Sequence, residues 1–213
     1  METQQPIFDL GHRGDVDYTQ ISKYLAMTPT RRLRHHEGWR QLLGTTKSMP
    51  NFLEEMVARL SQAQVEFVIV GGVSAVLQGA PVTTRDLDIC YRRTPANISR
   101  LVSALAPLHP RPRGLPPDLP FFFDERAIQL GSNFTLEIGD ESLDLLGEMS
   151  AIGGYEQIIG QSEEKKVGEF QVKVLPLSLL IVTKQAAGRP KDLAVIPELK
   201  ATLEMQQKGL PHP

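Results

Sequence analysis

The sequence predicts an α/β (α+β) fold, a short β-sheet flanked by helices, with a helical arm at the N-terminus. Three observations predict it. Val65, Phe67, Val68, Ile69 and Val70 form an almost unbroken β-branched and aromatic run, as in a strand covered on both faces. Phe52, Leu53, Met56, Val57 and Leu60 keep helical spacing, as do Ile98, Leu101, Val102 and Leu105, so each stretch carries one apolar stripe. Phe170, Val172 and Val174 alternate with polar residues, which marks a further strand.

The 213 residues allow one domain plus an arm. The expected division is a tail and helical arm over 1–48, a main domain over 49–207 and a frayed tail over 208–213. A formal charge of −2 gives no global basic field for nucleic acid. No run reaches the length of a membrane span, and the N-terminus lacks a charged-then-apolar signal pattern, so the expected compartment is cytoplasmic with no membrane partner. Cys90 is the single cysteine, which excludes a disulfide framework or a zinc cluster, and its apolar neighbours make it a core residue.

Along the chain, residues 1–16 lack periodicity and read as a loose tail. Residues 17–27 suit a short helix with Ile21, Tyr24 and Leu25 on one face. Thr28-Pro29 then reads as an N-cap with proline at the first helical position, opening a helix to about Leu43. Its Arg31, Arg32, Arg34, His35, His36 and Arg40 read as a solvated basic face, with contact to nucleic acid or an acidic partner as the alternative. Adjacent His35 and His36 diverge on a helix and cannot chelate one metal. Trp39, Leu42 and Leu43 are expected to dock the arm on the main body or on a second subunit, giving a monomer or a homodimer. Residues 44–50 read as a linker. The proline-dense stretch from His109 to Pro120 breaks regular structure, and Phe121-Phe122-Phe123 reads as core. Residues 133–138 and 142–146 read as two strands joined at Gly139-Asp140-Glu141, 163–166 as an exposed charge run. Gly188 stops a helix begun at Leu177, Pro190 starts another, and Pro197 kinks or restarts the last.

The chemistry concentrates between Val65 and Tyr91. Gly71 and Gly72 end the first strand and allow positive φ and close approach of a ligand to the backbone. Ser74 opens the following turn of helix, where its hydroxyl can bond a phosphate oxygen or free backbone N–H groups. Asp86 and Asp88 flank Leu87, so on a strand both carboxylates share a face and repel unless a cation lies between them.

Gly71-Gly72-x-Ser74 followed by Asp86-x-Asp88 resembles the nucleotidyltransferase superfamily, the fold of DNA polymerase β and of the minimal nucleotidyltransferases. Gln78-Gly79-Ala80, Thr83-Thr84-Arg85 and Arg189-Pro190-Lys191-Asp192 resemble more narrowly its bacterial branch related to abortive-infection (AbiEii-like) toxins. The likeness covers roughly residues 50 to 205. It implies a nucleotidyltransferase fold with a short mixed sheet, and transfer of a nucleoside monophosphate from an NTP to a hydroxyl of a protein or RNA such as tRNA. It also implies Mg²⁺, two ions, on Asp86, Asp88 and a third acid. Asp144, set inside the apolar Leu143 to Leu146, is assigned as that acid, because a lone buried carboxylate needs a partner; Asp140 is the competitor, at a hairpin tip. Gly71, Gly72, Ser74, Thr84 and Arg85 would contact the triphosphate. Arg189 and Lys191 are further phosphate candidates, with Asp192 holding one of them in an ion pair; Arg92 and Arg93 either reach the triphosphate or lie on the surface. Lys184 follows Leu177, Leu180 and Ile181 on one helix face. It either snorkels past the core edge or projects into the cleft as a catalytic cation, and the resemblance favours the cleft. A catalytically degenerate binding module and a toxin component of a toxin–antitoxin pair are the alternatives.

Overall fold

The structure is a computed structural model that describes residues 12–13, 16–42, 52–84 and 86–208. The chain opens with a two-stranded antiparallel ribbon, β1 (His12–Arg13) and β2 (Val16–Asp17), where a loose tail was expected. Helix α1 (Tyr18–Leu25) follows, its first turn closed by the Asp17 carboxylate accepting from the Gln20 N–H at 3.0 Å. Helix α2 (Pro29–Leu42) starts as its sequence dictates, with the Thr28 hydroxyl accepting from the Arg31 N–H and proline in the first turn.

The main body begins with α3 (Phe52–Gln62), then β3 (Phe67–Val70), α4 (Gly71–Leu77), β4 (Asp86–Tyr91) and α5 (Pro95–Leu105). A two-residue strand β5 (Arg111–Pro112), α6 (Glu125–Leu130), the hairpin β6 (Asn133–Ile138) and β7 (Glu141–Leu146), and α7 (Tyr155–Ile158) come next. A second hairpin, β8 (Glu163–Val167) and β9 (Phe170–Val174), leads into α8 (Leu177–Ala187), α9 (Pro190–Ala194) and α10 (Ile196–Gln207). Among the described residues one seven-stranded mixed sheet runs β5-β6-β7-β4-β3-β9-β8, with β3/β9 and β4/β7 parallel and the other pairs antiparallel.

Alternation along the central strands divides the interior in two. Phe67, Ile69, Leu87, Ile89, Leu143 and Leu145 face a core filled by the apolar stripes of α3 and α5. Val68, Val70 and Cys90 face a second core built from Leu177, Leu180, Ile181, Ile196 and Leu199 of α8 and α10. A strand buried on both faces must be apolar at every position, which is what β3 shows. Helix α4 feeds both cores, Val73 and Leu77 into the first and Ala75 and Val76 into the second. Cys90 is fully buried, and burial pushes its thiol up to about 12, so it is a core residue. Pro190 and Pro197 each lie in the first turn of a helix, so the chain restarts rather than kinks.

Other expectations are corrected or refined. Helix α2 is not simply a solvated basic face: Arg32, Leu33, His36 and Glu37 are buried, and the arm docks through them. Arg32 donates to the carbonyls of Tyr24, Leu25 and Leu77 at 2.6, 2.9 and 2.7 Å, capping the C-terminal ends of α1 and α4 together. The Glu37 carboxylate accepts from the Leu53 N–H in the first turn of α3. Residues 163–166, largely exposed as expected, also form most of an edge strand, where the charged Glu163, Glu164, Lys165 and Lys166 discourage pairing with another chain. The proline-dense stretch contributes β5 to the sheet. In the aromatic run Phe123 packs on the core, whereas Phe122 is 75% exposed. Residues 44–50, Leu43 and the side chains of Trp39 and Leu42 lie outside the described residues.

Arg32 is 8% exposed and burial lowers its pKa to about 10, yet its Nε, Nη1 and Nη2 each donate to a carbonyl oxygen, which favours the cation. Arg32→Met strips three carbonyls, two of them in buried bonds, of their donor and is expected to destabilise the fold by roughly 3 kcal/mol. Urea denaturation of the two proteins measures this, and a loss under about 0.5 kcal/mol contradicts the capping role.

Candidate active site

The second face of the sheet is covered by α8 and α10 over only part of its area. Where the cover ends, a cleft of about 940 Å³ opens over the first residues of β4 and the middle of β7. Asp86 and Asp88 point into it from alternate positions of β4, as period-two geometry requires. Because β4 and β7 run parallel with Asp88 opposite Asp144, the third carboxylate is delivered to the same face. Asp140 sits exposed beyond the hairpin glycine Gly139, at φ +62°, on the cleft margin.

The glycine turn lies directly against these acids. Gly71 has φ +61°, and a Cβ there would fall 2.1 Å from Asp88 Oδ2. Only glycine satisfies both conditions. A Cβ on Gly72 would fall 2.5 Å from the Thr84 side chain, whose hydroxyl donates to the Asp86 carbonyl at 3.3 Å. The turn, Thr84 and the carboxylates therefore form one tightly fitted group.

Its electrostatics are those of crowded anions. Burial, then the charges of Asp144 and Asp86, push the Asp88 carboxyl up to about 7, against smaller opposing effects of Lys184 and Lys191. Asp144 is raised too, by burial first and then by Asp86, with Arg113, the Thr135 hydroxyl and Lys191 acting the other way. Its Oδ1 is buried without a hydrogen-bond partner among the described residues. On the opposite wall, Asp192 accepts from Lys184 Nζ at 3.0 Å and from Arg189 Nε. Burial raises the Asp192 carboxyl, but those two bonds outweigh it and leave its pKa below the ordinary value. Asp192 thus organises two cations. Lys191 is exposed on the cleft and forms no ion pair among the described residues.

Most of the sequence candidates meet here: Asp86, Asp88, Asp144, Gly71, Gly72, Thr84, Lys184, Arg189 and Lys191 all line the cleft. Ser74 does not. It lies one turn into α4, fully buried, and its hydroxyl donates to the Leu175 carbonyl at 3.2 Å, so it serves the core rather than a phosphate. Arg85 lies outside the described residues. Arg92 pairs with Glu66 and Glu156, and Arg93 donates to the carbonyls of Gln129 and Gly131, which removes both from the cleft. Lys184 reaches the cleft with its ammonium already engaged by Asp192.

Two contributors escape a reading of the sequence. Arg113, in the proline-dense stretch, bonds Asp86 Oδ1 at 3.3 Å. His36, from α2, bonds the Thr84 carbonyl at 2.9 Å. Neither belongs to a local pattern, since each depends on contacts 27 and 48 residues away.

The donor set suits a hard divalent cation: carboxylate oxygens only, one of them buried and unpartnered among the described residues, beside a carboxyl raised by burial and then by its like-charged neighbours. Among the described residues no group of three or more His, Cys, Asp or Glu side chains stands in metal-holding geometry. Three like charges repel, and Arg113 holds Asp86 in an ion pair. No described helix is long and apolar enough to cross a membrane.

No family model and no curated protein matches the chain. Among solved structures it resembles the antibiotic-resistance factor ANT(2″)-Ia in solution, with 15% identity, a TM-score of 0.45, and 84% of this chain and 86% of that one covered. ANT(2″)-Ia in complex with adenylyl-2″-tobramycin gives 15% identity, a TM-score of 0.49, and coverage of 73% and 89%.

Asp88 gives a pH signature. Its carboxyl titrates near 4 in the unfolded chain and about 7 in the folded one, so the folded protein holds the proton more tightly. The stability Asp88 contributes is full below about pH 4 and is lost as pH rises to about 7. In chelator-treated protein, the stability of wild type relative to Asp88→Asn is expected to fall across that window. Parallel urea-midpoint profiles for the two proteins would contradict the shift.

Proposed function

We propose that this protein is a divalent-metal-dependent nucleotidyltransferase, moving a nucleoside monophosphate from an NTP to a hydroxyl with release of pyrophosphate. The observation that carries this is the in-register pairing of Asp88 with Asp144 against the Gly71-Gly72 turn. That pairing brings acids 56 positions apart to a glycine-lined cleft, an arrangement with no structural benefit of its own because it concentrates negative charge.

In this reading the absence of side chains at Gly71 and Gly72 lets a triphosphate approach the backbone at the start of α4. Lys191 and Arg189 offset its charge from the opposite wall, and Lys184, oriented by Asp192, adds a third cation. Asp86, Asp88 and Asp144 would hold the divalent ions, Mg²⁺ by the all-oxygen donor set, which supply charge neutralisation at the entering and leaving oxygens. Asp144, with its raised carboxyl and unpartnered Oδ1, is suited to receive the proton of the acceptor hydroxyl. The acceptor oxygen then bonds to the α-phosphorus, the bond to the β-phosphate bridge breaks, and pyrophosphate departs.

The finer assignment is to the bacterial branch related to abortive-infection toxins, with a protein or tRNA acceptor. It rests on Thr83-Thr84-Arg85 and Arg189-Pro190-Lys191-Asp192. A second reading, a nucleotide- or partner-binding module without turnover, is favoured by the engagement of Lys184 with Asp192 and of Asp86 with Arg113.

Labelled NTPs with Mg²⁺ and candidate protein and tRNA acceptors separate the two. Wild type is expected to transfer label and Asp86→Asn to lose at least about a thousandfold in rate while keeping its thermal midpoint within a few degrees. Nucleotide binding with no transfer to any acceptor favours the module. Growth arrest on expression that Asp88→Ala abolishes would support the catalytic toxin, and arrest that survives the substitution removes it.

A further inference from the structure

Several polar residues of α2, three of them buried, are hydrogen-bonded to the backbone of other elements. Arg32 serves the ends of α1 and α4, Glu37 the start of α3, and Thr30 the Lys166 carbonyl and the Gly168 N–H of the β8–β9 turn. His36 differs from these in one respect. Its partner, the Thr84 carbonyl, belongs to the lip of the cleft itself.

We propose that His36 is a positioning residue for the nucleotide cleft, setting the height of the Thr83–Thr84 lip over the Gly71-Gly72 turn and thereby the affinity for a triphosphate. His36 is 3% exposed and its Nε2 lies 2.9 Å from the Thr84 oxygen. A carbonyl only accepts, so Nε2 carries the hydrogen. Thr84 passes the constraint on in two directions. Its side chain lies against Gly72 so closely that a Cβ there would meet it at 2.5 Å, and its hydroxyl bonds the Asp86 carbonyl at the start of β4. One donor on the N-terminal arm therefore fixes the gap between the glycine turn and the first acid. The lip residues Val82, Thr83 and Thr84 make no backbone–backbone hydrogen bond with their N–H groups among the described residues, so the His36 bond is their main polar tether to the body. A displaced lip changes the room for phosphates at Gly72 while leaving Asp88 and Asp144 fixed in the sheet. Binding should suffer more than chemistry.

The inference about affinity rests on the nucleotide reading of the cleft, and its test has one arm that does not. His36→Phe keeps a ring and removes the donor; His36→Gln restores an N–H at a similar reach. Titration of each of the four ribonucleoside triphosphates with Mg²⁺ by calorimetry should show Kd for the best binder raised about five- to tenfold in His36→Phe and recovered to within about twofold in His36→Gln. In steady-state transfer, KM rises in the same proportion with kcat within about twofold. Independently of any nucleotide, the nuclear Overhauser contact between the Thr84 methyl and the Gly72 α-protons should be strong in wild type and His36→Gln and at least halved in His36→Phe. An unchanged methyl contact in His36→Phe overturns the proposal, as does a Gln variant no better than Phe at equal thermal midpoints. Should wild type bind none of the four triphosphates while the methyl contact behaves as expected, the nucleotide reading fails and the tether from His36 to the lip stands.

Discussion

The structure depends on holding like charges together. Asp88 and Asp144 are neighbours because β4 and β7 pair in parallel, with Leu87 and Ile89 on one strand and Leu143 and Leu145 on the other buried in the core below. Every hydrogen bond of that ladder and every apolar side chain beneath it opposes the repulsion above it. A slip of one residue would turn the carboxylates into the core and the leucines into the cleft, so register is fixed by burial. The neighbouring turn is fitted to the same pair, since no side chain at Gly71 can coexist with Asp88 where it stands.

Around that floor the molecule is arranged to leave one region uncovered. The first face of the sheet is closed by α3 and α5, whereas α8 and α10 close only part of the second. The cleft is therefore the unfilled remainder of a second core. Its chemistry is divided between two walls: anions from the sheet, and cations from α8 and α9 marshalled by Asp192. On the function proposed above, a triphosphate with divalent ions would suit such a split surface, because it presents metal charge to one side and phosphate charge to the other.

The arm has a different part in the architecture. Among its described side chains helix α2 places Leu33 in the core, and Arg32, His36 and Glu37 are buried with hydrogen bonds to backbone groups of other elements. Contacts of this kind specify relative position more than they add net stability, since each replaces a hydrogen bond to water. They tie the ends of α1, α3 and α4 and the lip at Thr84 to one rigid element.

Local pattern was enough to find the strand at Phe67–Val70, the stripes of α3 and α5, the proline starts of α2 and α9, and the Gly71-Gly72 turn ahead of Asp86 and Asp88. Periodicity and backbone chemistry act over a few residues and are written in neighbouring positions. Asp144 could be singled out because an acid amid Leu143, Leu145 and Leu146 has no local explanation. The roles of Ser74, Arg32, Arg113 and His36 were not legible. A serine after a glycine turn looks the same whether its hydroxyl meets a ligand or the Leu175 carbonyl, and a basic helix face looks solvated until its partners are known. The sequence by itself determined where strands, turns and acids occur, because those follow from each residue's own backbone and burial preferences. Only the tertiary structure decided which polar groups meet, because a hydrogen bond forms between whichever donor and acceptor the packed elements bring within about 3 Å.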